Sequence, residues 1–565
     1  MHYLCRVMRL TSKGLVSCHL ITKKHKNIVM KQILRSILLA LMAILVPLMA
    51  QAYDFEVDGI FYNINGNEAT VTYDETYTHQ YGGNVNIPAT VTYEGQTYNV
   101  TAIGMSAFER CWALESVSIP NSVTTIGRYA FSNCDALTTI DIPNSVTILD
   151  ASAFYGCTGL TSVFLSDYLT SIGQFAFYEC SSLLTISIPN TVTTIGRCAF
   201  AGCTSMTSVI FPNSITIIDE SLFRNCSSLR NFDISNSITA IYQEAFQGCS
   251  SLTAINIPSS VTYIDNAAFS GCSSVESITV ASDNPVYDSR DNCNAIIVKS
   301  NNILSLGCMN TVIPNNVVSI GKHAFDGCAG LTSVVLPDRV GLIDEWAFKE
   351  CTGLTSFTFG KHVYEIGASA FENCSALTSI EIPNTITKIG SQAFSNCISL
   401  TSIDIPNSIK GIDWGTFSRC LSLKEVSIPS SVSSIGMSAF NDCSSLTDVY
   451  CYIINPSSIF VDSYAFNLYE GDYSGRTLHV PAESLAAYQV DANWYPYFGN
   501  IVEIESTPDL PGDVNGDGTV NISDINNIIN AILDSGAEYN GLNDVNGDGT
   551  VNISDINAII AIILK

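Results

Sequence analysis

The chain has 565 residues, with 25 Lys and Arg against 52 Asp and Glu, and its formal net charge at pH 7 is −27. Such an acidic chain lacks the basic footprint that nucleic-acid binding requires, so we expect no nucleic-acid partner. Only 14% of the residues are charged, and Ser, Thr, Asn and Gly must therefore cover most of the surface. A solvated polar surface is the favoured explanation of the acidity, with a partner that selects for acidity as the alternative.

Residues 1–52 are predicted to be an upstream extension followed by a secretory signal peptide. Met30 and Lys31 begin a short charged segment, an apolar run occupies residues 37–50, and Ala50-Gln51-Ala52 matches a cleavage site. The run is shorter than the ~20 apolar residues of a membrane span, although an uncleaved anchor is the alternative. We expect translation to start at Met30, the secreted chain to begin near Tyr53, and no membrane span after cleavage.

Residues 53–100 combine Val, Ile, Thr and Tyr with Asn-Gly, Gly-Gly and Glu-Gly turns. This pattern is typical of short β-strands joined by tight turns. A repeat array follows, and the open end of such an array needs a cover. The segment is therefore predicted to be an N-terminal cap that enters the first coil at residues 85–88.

Residues 101–448 repeat one line of 23 residues, for which residues 382–400 are representative. Each copy has a Phe at the same position, here called the repeat Phe: Phe108, Phe131, Phe154, Phe177, Phe200, Phe223, Phe246, Phe269, Phe325, Phe348, Phe371, Phe394, Phe417 and Phe440. A fixed period of this length predicts a solenoid, because one repeat cannot bury its own apolar face.

Within one copy, Leu377 to Ile382 alternates apolar and polar residues, which predicts a strand with one buried face. Pro383 ends this strand, and strands of successive coils should pair as a parallel sheet. The segment around Ala393 and Cys397 is predicted to form a short helical turn on the other side of the coil.

Fourteen of the 20 cysteines follow the repeat Phe by three residues and are here called the Cys column: Cys111, Cys134, Cys157, Cys180, Cys203, Cys226, Cys249, Cys272, Cys328, Cys351, Cys374, Cys397, Cys420 and Cys443. A secreted chain with many cysteines often has disulfides. The column position instead favours buried thiols that pack as small apolar groups, while disulfides or a metal are the alternatives.

The spacing between Phe269 and Phe325 is 56 residues, which is one ordinary repeat plus one expanded coil at about residues 280–312. Its extra residues predict a hairpin with strands at 295–299 and 303–306. A structural insertion is favoured over a functional one.

The last repeat and a C-terminal cap are predicted at residues 449–505. Residues 484–489 indicate a short helix, and Trp494 with Phe498 should cover the end of the core. An aromatic sugar-binding platform is the alternative for these rings. Residues 506–512, which include two prolines, are predicted to be a linker.

The repeated line Ile-Pro-Asn-Ser-Val-Thr-x-Ile-Gly-x-x-Ala-Phe-x-x-Cys-x-x-Leu closely resembles the BspA-like leucine-rich repeat family over residues 85–505. The resemblance implies a surface or secreted adhesin of a host-associated microbe, since some members bind host matrix proteins. It therefore implies binding rather than catalysis.

Two twelve-residue loops, at residues 513–524 and 544–555, carry the strongest chemical signal in the chain. They place oxygen ligands at the positions that Ca²⁺ requires and a Gly at the sharp turn. The predicted ligands are Asp513, Asn515, Asp517, Thr519, Asn521 and Asp524 in the first loop, and Asp544, Asn546, Asp548, Thr550, Asn552 and Asp555 in the second. The sequence predicts two calcium ions and metal-dependent folding of this region.

Each loop precedes an apolar-periodic helix, and residues 513–565 closely resemble a type I dockerin, which implies a cohesin-type module as partner. By that resemblance the cohesin-contacting residues are Ile522, Ser523, Ile553 and Ser554, and an apolar Ile departs from the hydroxyl often found there. A calcium-stabilised tail without a cohesin partner is the alternative. The predicted fold class is a leucine-rich repeat solenoid, mainly parallel β with short helical turns, plus a small α-helical calcium-loop dockerin domain.

No constellation of catalytic residues is visible in the sequence. His79, His323, His362 and His479 lie in different repeats or caps, and the chain has no Gly-x-Ser-x-Gly elbow or phosphate-binding loop. Carboxylates are scattered, whereas glycoside hydrolysis needs two across one cleft. We expect a protein that is not an enzyme.

The outward strand positions predict a polar binding face interrupted by Phe164, Ile210, Val335 and Tyr450. The favoured hypothesis is a secreted or cell-surface protein whose repeats bind an extracellular protein or glycan and whose dockerin tethers it to a cohesin. The alternatives are a stand-alone adhesin with a calcium-stabilised tail, and an accessory component of a polysaccharide-degrading assembly.

Overall fold

The computed structural model describes residues 53–74, 81–469, 471–504, 514, 520, 522–533, 544–547 and 550–563. The predicted upstream extension, signal peptide and linker lie outside these residues. The chain divides into two compact units, of which the first ends at Ala199 and the second begins at Phe200.

The first unit begins with a β-rich cap. Its strands are Phe55–Val57, Ile60–Asn65, Glu68–Thr72, Thr90–Tyr93 and Gln96–Ile103. The first three pair as an antiparallel meander, and Glu68–Thr72 then runs parallel to Gln96–Ile103. The strand Gly83–Asn86 pairs in parallel with Leu114–Ser118, so residues 83–88 lead directly into the first coil.

Most coils contribute to two parallel ladders rather than to one. The first ladder contains the predicted strands, and in this unit it consists of Leu114–Ser118, Thr139–Asp141, Ser162–Phe164 and Thr185–Ser187. The second ladder is formed by two-residue strands just before the repeat Phe, at Thr125–Ile126, Ile148–Leu149, Ser171–Ile172 and Thr194–Ile195. In both ladders each residue pairs with the residue 23 positions later, as Ile140 does with Val163 and Ile148 with Ser171.

The second unit contains the same two kinds of ladder. Its first ladder contains Ser208–Ile210, Ala254–Ile257, Ser277–Val280, Ser333–Val335, Ser356–Thr358, Ser402–Asp404, Glu425–Ile428, Asp448–Cys451, Thr477–Val480 and Asn500–Glu503. Its second ladder contains Ile217–Ile218, Ala240–Ile241, Tyr263–Ile264, Ser319–Ile320, Leu342–Ile343, Glu365–Ile366, Lys388–Ile389, Gly411–Ile412, Ser434–Ile435 and Phe460–Val461.

The predicted hairpin is present, with antiparallel strands Ala295–Val298 and Ile303–Gly307. A further strand, Tyr287–Asp288, pairs with Ala295–Val298, and a 3-10 turn occupies Arg290–Asn292. The second strand of the hairpin, Ile303–Gly307, runs parallel to Ser319–Ile320 of the second ladder. The insertion therefore extends this ladder instead of standing apart from the solenoid.

Two local predictions are wrong. Residues 377–382 keep the predicted burial pattern but form no strand; the Thr378 carbonyl still accepts a hydrogen bond from Thr401 N at 3.1 Å. The segment around Ala393 is a run of tight turns rather than a helical turn. Gln392 and Asn396 there have φ of 57° and 60°, and a right-handed helix requires negative φ.

The core consists of side chains stacked coil upon coil. In the first unit the rings of Phe108, Phe131, Phe154 and Phe177 stack with centroids 4.9–5.4 Å apart. In the second unit the stack from Phe325 ends at Phe466, against the predicted cap residues Trp494 and Phe498. All of these rings are buried, as the 23-residue period predicts.

The C-terminal cap contains the short helix α1 at Leu485–Tyr488 and 3-10 turns at Pro456–Ser458, Ala482–Ser484 and Tyr495–Tyr497. Two longer helices, α2 at Ile522–Leu533 and α3 at Ile553–Ile563, follow the two predicted calcium loops.

Candidate binding face, Cys column and calcium module

The outer side of the first ladder is a polar surface, as predicted. The predicted outward residues Thr138, Thr139, Asp141, Thr185, Ser187, Thr253, Asn256, Thr378, Ser379, Glu381, Thr401 and Asp404 are exposed, and Ser402 is half-buried. Neighbouring coils are linked across this surface, for example by Thr279 Oγ1 donating to Asn256 Oδ1 at 2.7 Å. Phe164, Ile210 and Val335 interrupt it with side chains that are 63–70% exposed.

Tyr450 differs from those three apolar residues because a neighbouring ring covers it. Its ring stacks on that of His479 with centroids 4.4 Å apart, and His479 Nε2 lies 2.8 Å from Asp448 Oδ1. Partial burial of Asp448 opposes ionisation, but hydrogen bonds from His479 and Thr447 outweigh it and lower the pKa of Asp448. These residues form a fixed polar end to the binding face rather than a free aromatic anchor.

The members of the Cys column are buried thiols, as predicted. In eleven of them the Sγ donates to the carbonyl of the repeat Phe one coil earlier, with Sγ–O distances of 2.9–3.2 Å. Burial raises the pKa of Cys226, Cys272 and Cys397 to about 12. The thiols therefore stay protonated at neutral pH and are poor nucleophiles.

The two calcium loops are closed by the carboxylate at their twelfth position. Asp524 Oδ1 accepts a hydrogen bond from Val514 N at 2.8 Å. Asp555 accepts from Asn546 N at 3.2 Å and from Asn552 N at 2.9 Å. Each of these two Asp side chains is fully buried, and each reaches back toward the start of its loop.

This arrangement fits a bound cation. Burying a carboxylate is costly unless a positive charge compensates it, and the only basic residue after position 512 is Lys565. Oxygen-rich loops that surround a buried carboxylate suit Ca²⁺. Asp544, Asn546, Thr550 and Asn552 lie in the described part of the second loop, and there Asn552 Oδ1 also caps α3 by accepting from Ser554 N at 2.8 Å.

Asp513, Asn515, Asp517, Thr519, Asn521 and Asp548 lie outside the described residues. Within the part of the chain that the structure describes, no three His, Cys, Asp or Glu side chains converge as a metal site. The complete ligand sets are therefore predictions of the sequence.

The helices pack around Val514, Ile528 and Ile559, which form a small separate core. Ile553, which is 70% exposed, and Ser554, which is also exposed, lie in the first turn of α3. The backbone of Ile522 and Ser523 forms the first turn of α2, and their side chains lie outside what the structure describes. The predicted cohesin contacts of the second half are thus on the surface.

The three described histidines occupy unrelated places. His323 Nδ1 lies 2.7 Å from Asp326, His362 Nδ1 lies 2.6 Å from the Asp338 carbonyl, and His479 lies beside Asp448. His79 is outside the described residues.

The sequence pattern did not indicate aromatic residues paired with cations on the turns. The Arg197 guanidinium lies 5.7 Å from the Phe175 ring centre in the first unit, and Lys322 Nζ lies 4.6 Å from the Trp346 ring in the second. All four residues lie two or three positions before a repeat Phe. Their recurrence at these positions of the repeat is the sequence signal for such pairs.

A parallel β-solenoid of 23-residue coils with a buried Phe and Cys in each coil defines a leucine-rich repeat protein. The family described as "BspA type Leucine rich repeat region (6 copies)" matches residues 90–203, 170–293, 305–380 and 364–469. The chain belongs to this family. The "Dockerin type I domain" family matches residues 511–564, so the chain also carries a C-terminal type I dockerin. Neither family is catalytic, and type I dockerins bind calcium.

Solved structures of bacterial leucine-rich repeat proteins are similar to this chain. A leucine-rich cell surface protein from Faecalibacterium prausnitzii A2-165 is 31% identical, with a TM-score of 0.51, over 72% of this chain and 96% of the other. A leucine-rich repeat protein from Bacteroides ovatus ATCC 8483 is 30% identical, with a TM-score of 0.47, over 70% of this chain and 94% of the other.

No curated protein matches the chain. Among the described residues, no helix has the length and apolar character that crossing a membrane requires.

Proposed function

We propose that this is a secreted, non-catalytic binding protein of the cell surface. Its first-ladder face binds an extracellular protein or glycan, and its dockerin, loaded with two calcium ions, tethers it to a cohesin module. The observation that carries this proposal is the presence, in one chain, of a repeated exposed sheet face and of two closed loop-and-helix units that fit a bound cation.

The sheet face suits an extended ligand. Coils repeat about every 4.8 Å, so hydroxyl, amide and carboxylate groups recur along the face at a constant spacing. Such a surface offers many weak polar contacts, while the exposed Phe164 and Val335 offer apolar ones. A polymer or a large protein surface can engage several coils at once, and weak contacts then add up.

In the dockerin, bound calcium would neutralise the buried Asp524 and Asp555 and hold the loops closed. The chain's own contribution is to place Ile553 and Ser554 at the exposed start of α3, with Ile522 and Ser523 at the start of α2. The two halves are nearly identical in sequence, so either half can present the same contact.

The tether is tested with the full chain and a panel of recombinant type I cohesins, in calcium and in chelator. We expect calcium-dependent binding that is lost only when both halves are changed, in Ile522→Asp/Ile553→Asp. The matched control is Ile532→Asp/Ile563→Asp, which alters exposed residues near the far ends of the same helices. Cohesin binding that does not depend on calcium, or an equal loss of cohesin binding in both double variants, would contradict the tether.

The sheet face is tested with an array of purified matrix proteins and glycans. Thr378→Lys/Thr401→Lys places two long charged side chains on the face, whereas the control Thr352→Lys/Ile398→Lys places them on exposed turns. We expect ligand signal to fall at least tenfold in the first variant only. Cleavage of any array glycan by the wild-type chain would contradict a non-catalytic role.

A further inference from the structure

The first unit distributes its charges unevenly. Residues 53–199 contain fourteen Asp and Glu but only three Lys or Arg, and these are Arg110, Arg128 and Arg197. All three arginines lie within three residues of a repeat Phe, on the turns and away from both ladders. An acidic unit thus carries all of its basic residues on one side of the coils.

Aromatic side chains occupy the same turns. The rings of Tyr155 and Tyr178, in successive coils, stack with centroids 5.0 Å apart. Phe175 meets Tyr178 edge-on at 5.7 Å, and Arg197 lies over the Phe175 ring. Tyr129 occupies the position of Phe175 two coils earlier and is 36% exposed.

The backbone at these positions makes the aromatics unusual. Tyr129 and Phe175 have φ of 56° and 59°. Bulky residues rarely adopt this left-handed conformation. Other coils have the small Ser221 or Ser369 in the corresponding place.

We propose that Arg128, Tyr129, Tyr155, Phe175, Tyr178 and Arg197, here called the aromatic–arginine patch, dock an acidic, extended segment of a protein partner. Tyr and Arg are the residues that dominate protein–protein hot spots. Guanidinium groups bind carboxylates with two parallel hydrogen bonds. Arg128 and Arg197 supply the guanidinium groups that bind the partner's carboxylates, while Glu179 on the same turns opposes them.

The ring geometry favours a protein segment over a sugar. A sugar stacks on an open ring face, but Tyr155 and Tyr178 cover one face of each other and Arg197 lies over Phe175. The patch therefore offers ring edges and tyrosine hydroxyls. Burial, and then the charge of Glu179, raises the pKa of Tyr155, so its hydroxyl keeps the proton that it can donate to a carboxylate.

This inference deepens the proposed binding function, since it names a partner chemistry, but it uses the turns instead of the sheet face. Failure to detect ligand binding at the sheet face, or binding of a cohesin, would not contradict the aromatic–arginine patch. The proposed function and the proposed docking patch can therefore be refuted independently of each other.

The test measures binding of the full chain to poly(Glu,Tyr), a soluble acidic and aromatic polypeptide, by biolayer interferometry at 150 mM salt. Polygalacturonate, an anionic glycan, is the comparison probe. Arg128→Glu/Arg197→Glu should weaken poly(Glu,Tyr) binding at least tenfold. Arg339→Glu/Arg419→Glu, which makes the same charge change at exposed turn sites outside the patch and off the sheet face, should change it less than twofold. Glu179→Gln should strengthen it several-fold.

Three outcomes would overturn the proposal. Equal losses in the two arginine pairs would show that only overall charge matters. Patch-dependent binding of polygalacturonate in preference to poly(Glu,Tyr) would make the patch a glycan site. Absence of binding to both probes would remove the docking surface altogether.

Discussion

Each thiol of the Cys column combines two roles at the scale of one residue. It fills the space beside the repeat Phe, and in most coils it also donates to a buried carbonyl one coil earlier, as Cys397 does to the Phe371 carbonyl at 3.2 Å. Buried carbonyls without a donor are costly. A small apolar side chain would fill the space, but the Phe371 carbonyl would keep only its second donor, Cys374 N at 3.2 Å.

The buried thiols predict a loss of stability at alkaline pH. Their pKa is raised from 9.0 to about 12 in Cys226, Cys272 and Cys397, so above pH 9 the unfolded chain loses protons that the folded chain keeps. Stability from this source is complete below pH 9 and is lost as pH rises toward 12. Each such thiol contributes roughly 1.4 kcal/mol per pH unit to the slope.

The measurement is the urea unfolding free energy between pH 8 and pH 11. Cys226→Ala/Cys397→Ala should lower stability at pH 8 and flatten the pH slope. Leu400→Ala, a destabilising change in the same coil, should lower stability without altering the slope. An unchanged slope in the cysteine variant would show that these thiols do not set it.

Arg476 is a second residue whose role depends on burial. It is 2% exposed, and its guanidinium donates to the carbonyls of Leu446, Phe466 and Cys443 at 3.2, 2.7 and 3.1 Å. Burial lowers the pKa of Arg476, but three carbonyls still hold the cation in place.

Arg476→Met should therefore cost about 3 kcal/mol, because the buried carbonyls of Leu446 and Phe466 lose their donor, while that of Cys443 keeps Leu446 N at 3.1 Å. The exposed Lys424→Met is the control and should change stability by less than about 0.5 kcal/mol. Urea unfolding of both variants checks this. Similar midpoints for the two would mean that the cap does not depend on Arg476.

At the scale of an element, the dockerin differs from the coils in what holds it together. Among the dockerin residues that the structure describes, the buried apolar core consists of Val514, Ile528 and Ile559, and small cores are marginal without a metal or another crosslink. The buried Asp524 and Asp555 make the module still less stable when no cation is bound. Calcium is thus expected to supply a large share of its stability.

Chelator should make the dockerin of the full chain sensitive to protease while the solenoid stays resistant. Asp524→Asn/Asp555→Asn should weaken calcium binding about tenfold or more, whereas Asn526→Ala/Asn557→Ala, at exposed helix positions, should not. Cleavage sites mapped by mass spectrometry, with calcium titrated by calorimetry, provide the readout. Equal resistance with and without calcium would refute a metal-dependent module.

At the scale of the molecule, the 23-residue register ties the coils together. Glu365 pairs with Lys388 and Ser402 with Glu425, each 23 positions apart, and the same offset brings successive Phe and Cys side chains into contact. A coil is therefore an interchangeable unit whose stability comes from its two neighbours.

Deletion of residues 372–394, one full period, should leave a folded and cooperative solenoid with a similar urea midpoint. Deletion of residues 372–393 removes one residue fewer and displaces every later strand by one position, which turns buried side chains outward. That variant should unfold at much lower urea or aggregate. Equal stability of the two deletions, measured by circular dichroism, would show that register is not what holds the coils.

The sequence alone was sufficient for the period, the buried Phe and Cys, the hairpin at 295–306 and the two loops with Asp524 and Asp555 at their ends. Apolar residues at a fixed spacing allow one arrangement that buries them all, and the spacing of the predicted calcium ligands can be read directly from the sequence. Only the tertiary structure revealed the second ladder, the left-handed turns, the burial of Arg476 and the clustering of Tyr155, Tyr178 and Arg197 on the turns. These depend on which backbone groups and side chains lie opposite one another after the coils stack, and a local pattern does not contain that information.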